Sequence, residues 1–437
     1  MSGKISTLET RARRAHAKIA QQTPRRPPAQ APTSFAIKAT LIVAGVALGL
    51  AVGEIAARLF GFDFRPHMRV RVYFAEPDPL LGWRNRAAMS GPYGGDEFVT
   101  RVTHNGAGQR GREVAIERRP GTVRIAILGD SQAWGDGVAD SETFASLIDG
   151  REGGRVEAIN FAAPGYGTDQ QLLVFDSRAA AYSPDIVITA VFVGNDPQDN
   201  LSRGTFQYPK PYFTVDASGA LTLHGVPVEN SQILHYGIEL YRGAMRYSAL
   251  LNALGEATAK EQPPFVPTSE MPREPTIYRT LYTRQPAPEE TAGLAMTVRL
   301  LDEIARHARA IGARPIVLIL PELWQVDVAS RADWRARLRE LGADWRRPQR
   351  VLRRALADRG VEVIDALPAL ARASRHARTQ EEHTYYRGWR HLTALGHRTV
   401  ARLLASRLDI ATRPAREDAP SAGASAVGQG EQDRPAR

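Results

Sequence analysis

The stretch RIAILGDSQAWGDG, from Arg124 to Gly137, decides how the rest of the chain is read. Ile125, Ala126, Ile127 and Leu128 form an apolar run that stops at Gly129-Asp130-Ser131, and small and polar residues follow. A short unbroken apolar run bounded by a turn signal is the pattern of a strand buried on both faces, as in a parallel sheet. Its C-terminal end would deliver Ser131 into the turn before a helix, where open α/β sheets place their ligands. Ser131 is therefore the candidate nucleophile. Glycine, aspartate and serine are also ordinary turn residues, so the tripeptide draws its weight from companions elsewhere in the chain.

Around this stretch the pattern alternates between strands and helices. Strands are expected at Val123 to Leu128, Val156 to Phe161, Ile186 to Val193, Pro315 to Leu320 and Val361 to Ile364. Helices are expected at Glu142 to Asp149, Thr168 to Ala181, Pro288 to Ile311, Pro348 to Arg359 and Ala394 to Leu408, the last with Leu395, Val400, Leu403 and Leu404 on its apolar side. Such alternation predicts an α/β fold with a parallel sheet covered on both faces. Residues 204–286 break the rhythm with Pro, Tyr and polar residues and a short helical stretch at 232–257, and read as an insertion that shapes a binding surface. Residues 61–122 carry short alternating runs, Val70 to Phe74 and Phe98 to Val102, among Gly and Asn turn signals, and read as a strand-rich lead-in to a domain spanning 123–411.

The chain has 437 residues, 43% of them hydrophobic, enough for a sizeable core. It has no cysteine, which excludes disulfides, thiolate metal sites and a cysteine nucleophile. Its net charge is +10, but residues 1–38 hold eight basic side chains against Glu9 alone, which is +7 of that total and leaves +3 for the remainder. A basic tail beside a membrane segment accounts for this better than nucleic-acid binding, for which no basic, aromatic-interleaved motif is present.

Residues 1–34 are basic and proline-punctuated, with too little apolar surface to offset the entropy of ordering, and residues 412–437 are of similar low complexity; both read as disordered tails. Residues 35–60 form the most hydrophobic stretch, uncharged from Ala39 to Gly53. At ~1.5 Å per helical residue, Phe35 to Ala57 spans a ~30 Å hydrocarbon layer if Lys38 snorkels, which predicts one transmembrane helix. The positive-inside rule then places the tail in the cytoplasm and everything after Phe60 on the extracytoplasmic side of the cell membrane. A cleaved signal peptide is the competing reading, although no clean small-x-small cleavage site stands out. Gly45, Gly49 and Gly53 form a small-residue ridge that leaves homo-oligomerisation open.

Three further blocks fall at expected C-terminal strand ends or near the C-terminus: Asn160 to Thr168 (NFAAPGYGT), Val193-Gly194-Asn195-Asp196, and His391 to His397 (HLTALGH). Together with Gly129-Asp130-Ser131 and in this order, they resemble the SGNH or GDSL-type hydrolases, a flavodoxin-like superfamily of esterases, lipases and carbohydrate O-acyl esterases. The resemblance covers about Val123 to Leu408. The blocks Leu81-Gly82-Trp83-Arg84 and His104 to Gly111 (HNGAGQRG) are similar to the membrane-anchored bacterial branch related to polysaccharide O-acetylation proteins.

The resemblance implies a flavodoxin-like three-layer sheet and a catalytic set. Ser131 would attack an acyl carbonyl with His391 as base, and the oxyanion would sit among the backbone N–H of Ser131, the backbone N–H of Gly165 and the amide of Asn195. His397, early in the closing helix, reads as structural. No metal or organic cofactor is implied. The implied function is an ester hydrolase cleaving O-acyl, above all O-acetyl, groups from a small molecule or an envelope carbohydrate. An O-acetyltransferase using the same acyl-enzyme, or a weakly catalytic scaffold of an envelope-polysaccharide machinery, are the alternatives.

One departure bears on turnover. The family pattern carries an aspartate three residues before the histidine, and this chain has Gly388 there. The acid fixes the imidazole tautomer and stabilises the imidazolium. Three explanations follow: a Ser-His dyad oriented by a backbone carbonyl, an acid from elsewhere such as Glu381 or Glu382, or a fold that has lost turnover.

Overall fold

The computed structural model describes residues 35–60, 74–95, 97–205, 208–229, 248–251, 253, 280–330 and 332–408. Both tails, the run 70–73 and most of the stretch 232–257 lie outside these residues. The chain divides into two units, 1–63 and 64–437. In the first, helix α1 (Phe35–Leu59) has 25 residues and a mean hydropathy of 2.2 over its most apolar window, so by length and composition it is able to cross a membrane. Its side chains are almost all exposed, and Arg58 pairs with Glu54 one turn earlier at 2.8 Å.

The second unit is built on five parallel strands: β5 (Val123–Leu128), β6 (Val156–Asn160), β7 (Ile186–Phe192), β12 (Arg314–Leu320) and β13 (Glu362–Asp365). Their spatial order is β6-β5-β7-β12-β13, so the chain starts in the interior, steps to one edge and then winds to the other. All six residues of β5 are buried, which is why its sequence is a continuous apolar run rather than an alternating one. Its side chains still alternate between faces. Val123, Ile125 and Ile127 join a cluster with α3 (Phe144–Ile148), α10 (Leu367–Ala373) and α11 (Ala394–Leu408). Ala126 and Leu128 join the opposite cluster with α4 (Thr168–Ser177) and α6 (Pro288–Ala310).

Expected and observed elements agree closely along the sheet, and they differ where capping intervenes. The helix expected over 142–149 shrinks to α3 because Thr143 stays extended and caps it, its hydroxyl accepting from Ser146 N at 3.1 Å. The helix expected to reach Ala181 ends at Ser177 and gives way to a 3₁₀ turn over Ala179–Tyr182. Two helices went unforeseen, α7 (Leu323–Ser330) and α8 (Ala332–Glu340), ahead of α9 (Arg347–Ala357).

The lead-in forms two antiparallel hairpins, β1 (Ala75–Asp78) with β2 (Gly82–Asn85) and β3 (Ser90–Gly95) with β4 (Phe98–Thr103), neither of which extends the main sheet. Within the insertion, the short strands β8 (Gly204–Thr205) and β9 (Tyr208–Pro209) pair antiparallel, and β10 (Tyr212–Val215) and β11 (Leu221–His224) pair as another hairpin. This segment is tied to the core by Lys210, whose ammonium donates to the Asp169 carboxylate in α4 with both side chains fully buried.

Candidate active site

The turn after β5 is shaped by close packing. A Cβ at Gly129 would lie 2.5 Å from the Cβ of Ala133 and 3.2 Å from that of Ala190, so only glycine lets the strand run into the following turn of helix. That turn is α2 (Ser131–Trp134), capped by Asp130, which accepts from Gln132 N at 2.9 Å, and closed by Gly135 at φ +96°. Ser131 is thus the first residue of α2 and nearly buried.

His391 meets it from the far end of the chain. Its Nε2 lies 2.8 Å from Ser131 Oγ, and its Nδ1 lies 2.7 Å from the carbonyl oxygen of Trp389. A carbonyl only accepts, so Nδ1 carries the proton and the Nε2 lone pair faces the serine hydroxyl. This is the tautomer a general base needs. The supporting loop is tightly held: Tyr386 N donates to His391 O at 2.8 Å, and Arg390 N to Tyr386 O at 2.9 Å. Gln132 clasps the histidine from both sides, donating to Arg390 O at 3.0 Å and accepting from Leu392 N at 3.1 Å. Arg390 adopts φ +59°, a left-handed conformation costing a non-glycine residue about 1 kcal/mol, which those contacts sustain.

Glu381 and Glu382 do not bring a carboxylate to the imidazole. Both are exposed, and Glu382 instead accepts from the amides of Arg378 and Thr379, bonds that hold its carboxyl below the usual range. Their place at Nδ1 is taken by the Trp389 carbonyl. At Gly388 the amide N–H donates to Glu97 Oε2 at 2.8 Å. His397 is fully buried in α11, where its Nδ1 accepts from Phe144 N at 3.1 Å and burial pushes its pKa down to about 3.

Gly165 and Asn195 stand on the loops after β6 and β7, the two strands that flank β5. Gly165 has φ +80°, and its loop is tied to the nucleophile turn by Ala163 N donating to Gly129 O at 3.2 Å. The Asn195 side chain lies beside Asp130. Burial pushes Asp130 up to about 7, aided by the charge of Asp199 and opposed by the bond from Gln132 N and the nearby Asn195 amide. Asp196, which opens the short helix α5 (Asp196–Asp199), is likewise raised, by burial and then by repulsion from Asp130.

Several residues to which the sequence reading gave no individual role surround the pair, Trp83, Arg110 and Asp136 among them from within the quoted blocks. Asp136, fully buried, accepts from Tyr93 Oη at 2.8 Å and Trp389 Nε1 at 2.7 Å through Oδ1, and its Oδ2 lies 3.7 Å from His391 Nε2. Glu97 receives three consecutive amides, those of Arg387, Gly388 and Trp389, at 2.6–2.9 Å. Arg110, buried beneath the nucleophile turn, donates to the carbonyls of Trp134, Gly135 and Val138 and pairs with Asp140 at 2.9 Å. Trp83 Nε1 donates to Pro164 O at 3.0 Å, and Asn85 Nδ2 to Ala162 O at 2.9 Å. No local signal marks these contacts, because each joins residues far apart in sequence.

Among the described residues, no group of three or more His, Asp or Glu is arranged to hold a metal ion. A cavity of about 230 Å³ between the lead-in and α4, lined among others by Gln109, Phe161, Tyr166 and Arg178, contains none of Ser131, Gly165, Asn195 or His391.

The fold and site together define an α/β domain with a serine–histidine pair at the C-terminal edge of its parallel sheet. No family model matches the sequence, and no curated protein matches it. Solved structures it is similar to include a GDSL-like lipase from Bacteroides thetaiotaomicron, at 12% identity over 68% of this chain and 93% of that one, with a TM-score of 0.31. A lipase/acylhydrolase from Enterococcus faecalis matches at 14% identity over 68% and 100%, with a TM-score of 0.33. An acetyl-xylooligosaccharide esterase from Geobacillus stearothermophilus, as a mutant, matches at 9% identity over 67% and 96%, with a TM-score of 0.35.

Proposed function

We propose that this chain is a serine ester hydrolase of the SGNH type that works through an acyl-enzyme on Ser131. The reading rests on one observation: a single imidazole has Nε2 at 2.8 Å from a serine hydroxyl and Nδ1 at 2.7 Å from a carbonyl that fixes its tautomer. Of the three explanations for the absent acid, this geometry supports the dyad oriented by a backbone carbonyl.

The chemistry follows from these atoms. Ser131 Oγ attacks the ester carbonyl carbon while its proton passes to His391 Nε2. The oxyanion takes hydrogen bonds from the backbone N–H of Ser131, the backbone N–H of Gly165 and the side-chain amide of Asn195. Collapse breaks the bond to the alcohol oxygen, which receives the proton from Nε2. Water then attacks the acyl-serine through the same base, releasing the acid and restoring Ser131. A sugar hydroxyl in place of that water would make the enzyme an acyltransferase.

The preferred substrate class is an O-acetyl ester on an envelope carbohydrate, presented to a domain held at the extracytoplasmic face by α1 with its basic tail in the cytoplasm. The sheet order 2-1-3-4-5, counted along the chain over the parallel strands, supports a flavodoxin-like arrangement, with the site at the switch between β5 and β7. The test uses the full chain in detergent, treated with a serine-directed fluorophosphonate and assayed on a chromogenic acetate ester. Ser131 is expected to be labelled and the ester cleaved, and Ser131→Ala is expected to lose labelling and at least ~10³-fold in turnover. A folded chain that neither labels nor hydrolyses overturns the proposal.

A further inference from the structure

We infer that Asp136 is the carboxylate that stabilises the His391 imidazolium, acting from the Nε2 side of the ring in place of an acid on the Nδ1 side; the inference rests on the dyad reading above. The Trp389 carbonyl orients the neutral ring but carries only a partial charge, so an imidazolium formed during turnover lacks a full counter-charge at Nδ1. Asp136 supplies one. Its Oδ2 stands 3.7 Å from Nε2, too far for a hydrogen bond that would compete with Ser131 and near enough for strong attraction, since the carboxylate itself is fully buried.

The carboxylate is built to stay in place. Oδ1 accepts from the Tyr93 hydroxyl of β3 and from the Trp389 indole, and the side chain has no solvent exposure. Trp389 therefore serves the histidine twice, with its carbonyl on Nδ1 and its indole N–H on the carboxylate facing Nε2. Glu97 in turn fixes the backbone of Trp389. During the acylation step the proton moves from Ser131 Oγ to His391 Nε2 and then to the leaving alcohol. Asp136 remains ionised throughout and takes no proton.

Other charged or titratable groups bear on this pair. Arg110, from the lead-in, interacts electrostatically with Asp136. His397 of α11 interacts with His391 and stays neutral because burial lowers its pKa to about 3. Asp130 caps the Ser131 turn, its Oδ1 accepting from Gln132 N at 2.9 Å. Arg390 adjoins the histidine in sequence, Arg387 is paired with Asp327 at 2.6 Å, and Glu97 faces the amides of the loop. Tyr93 and Tyr386 complete the set, Tyr386 donating to Gly137 O at 2.9 Å. Among them, Asp136 is the carboxylate placed against the reacting nitrogen.

The test is the pH profile of kcat/KM for a chromogenic acetate ester, with the full-length chain in detergent and Asp136→Asn beside wild type. Asparagine keeps the volume and an oxygen for Tyr93 and Trp389 while removing the charge. The expected result is a ten- to hundredfold loss in kcat with KM little changed, and an acid limb moved about one pH unit lower, because losing the anion disfavours the imidazolium. An unmoved acid limb overturns the inference, since a merely structural role lowers the profile without displacing it. If Asp136→Asn fails to fold, Trp389→Phe keeps the carbonyl on Nδ1 and removes the indole donor. A smaller shift of the limb in the opposite direction, to higher pH, is then expected, because the carboxylate charge is less compensated, and no shift overturns the inference. A wild-type chain that neither labels with fluorophosphonate nor hydrolyses the ester counts against the dyad reading itself, whereas a labelled wild type with an unmoved limb in the variant counts against Asp136 alone.

Discussion

In the sheet, Ile125, Ile127 and Leu128 are wholly buried in apolar clusters that cover both faces; in the lead-in, Trp83, Asn85, Glu97 and Arg110 each reach out to the backbone of a site loop. The first region supports the site by bulk burial, worth roughly 25 cal/mol per Å² of apolar surface and indifferent to direction. The second supports it by single directed bonds. Arg110 holds the Ser131 turn, Glu97 holds the His391 loop, and Trp83 and Asn85 hold the loop of Gly165. A packed sheet fixes where strand ends lie to within the play of a turn, and the hairpins around it fix which way the peptide groups in those turns point.

The strongest test of this contrast sets Arg110→Ala against Leu128→Ala. Removing the guanidinium leaves the carbonyls of Trp134, Gly135 and Val138 without that donor and Asp140 without that cation, at an expected cost of about 4 kcal/mol. Leu128→Ala opens a cavity at an expected cost of about 3 kcal/mol. Chemical denaturation measures both, and the discriminating quantity is turnover in the protein that remains folded. Arg110→Ala is expected to lose most of it, because the Ser131 turn relaxes, whereas Leu128→Ala keeps most of it. Equal residual activity in the two variants would break the comparison.

Two buried histidines sharpen it. His104, in the lead-in, bonds Arg86 O through Nδ1 at 3.0 Å and accepts from Trp134 Nε1 at 3.0 Å, so it must be neutral, and burial pushes its pKa down to about 4. His397, in the core helix, is pushed down to about 3, also by burial. A depressed folded-state value means that stability is fully present above the unfolded value of about 6.5 and is lost as pH falls through the folded value. Each histidine is therefore expected to cost about 3 kcal/mol between pH 6.5 and 4, read from urea midpoints across that range. His104→Gln and His397→Gln should each flatten that slope. In addition, the loss of activity with acid should outrun the loss of structure if the lead-in yields before the core.

How much of this was legible in the sequence follows the same division. The strands and the turn that carries Ser131 could be read because a buried parallel strand is a continuous apolar run and its turn chemistry is local, whereas His391 was reached only through the resemblance of its block to a known family pattern. Helix α7 could not, since Gln325, Val326, Asp327 and Val328 are buried in succession and leave no amphipathic period to detect. Helix α8, ADWRARLRE, was hidden by its charge, Arg335, Arg337, Arg339 and Glu340 filling four of its last six positions. The carboxylate was sought close to His391 in the chain, at Gly388, Glu381 and Glu382, while the one that faces the imidazole is Asp136, in the nucleophile's own block. Glu97 meets Gly388 across 291 positions, and no periodicity or motif marks such a contact.

The smallest expected effect on stability is the most direct test of what the lead-in is for. Trp83 Nε1 donates to the carbonyl of Pro164, and that carbonyl shares a peptide plane with the N–H of Gly165. A planar trans peptide points its N–H opposite to its C=O, so holding one aims the other. Gly165 sits at φ +80°, with freedom to rotate that plane if it is released. Trp83→Phe removes the donor and keeps an aromatic ring against Tyr166, whose centroid lies 5.8 Å away, and Tyr166 Oη still donates to the backbone carbonyl at position 83. The cost in stability should be about 1 kcal/mol, the net worth of one hydrogen bond. If the Gly165 N–H serves the oxyanion as proposed, its misaiming matters only as negative charge develops, so the loss should fall on kcat, roughly tenfold, with KM nearly unchanged. A variant that loses stability but keeps kcat would make the lead-in one more packing layer; one that keeps stability and loses kcat would make it part of the machinery that aims the site.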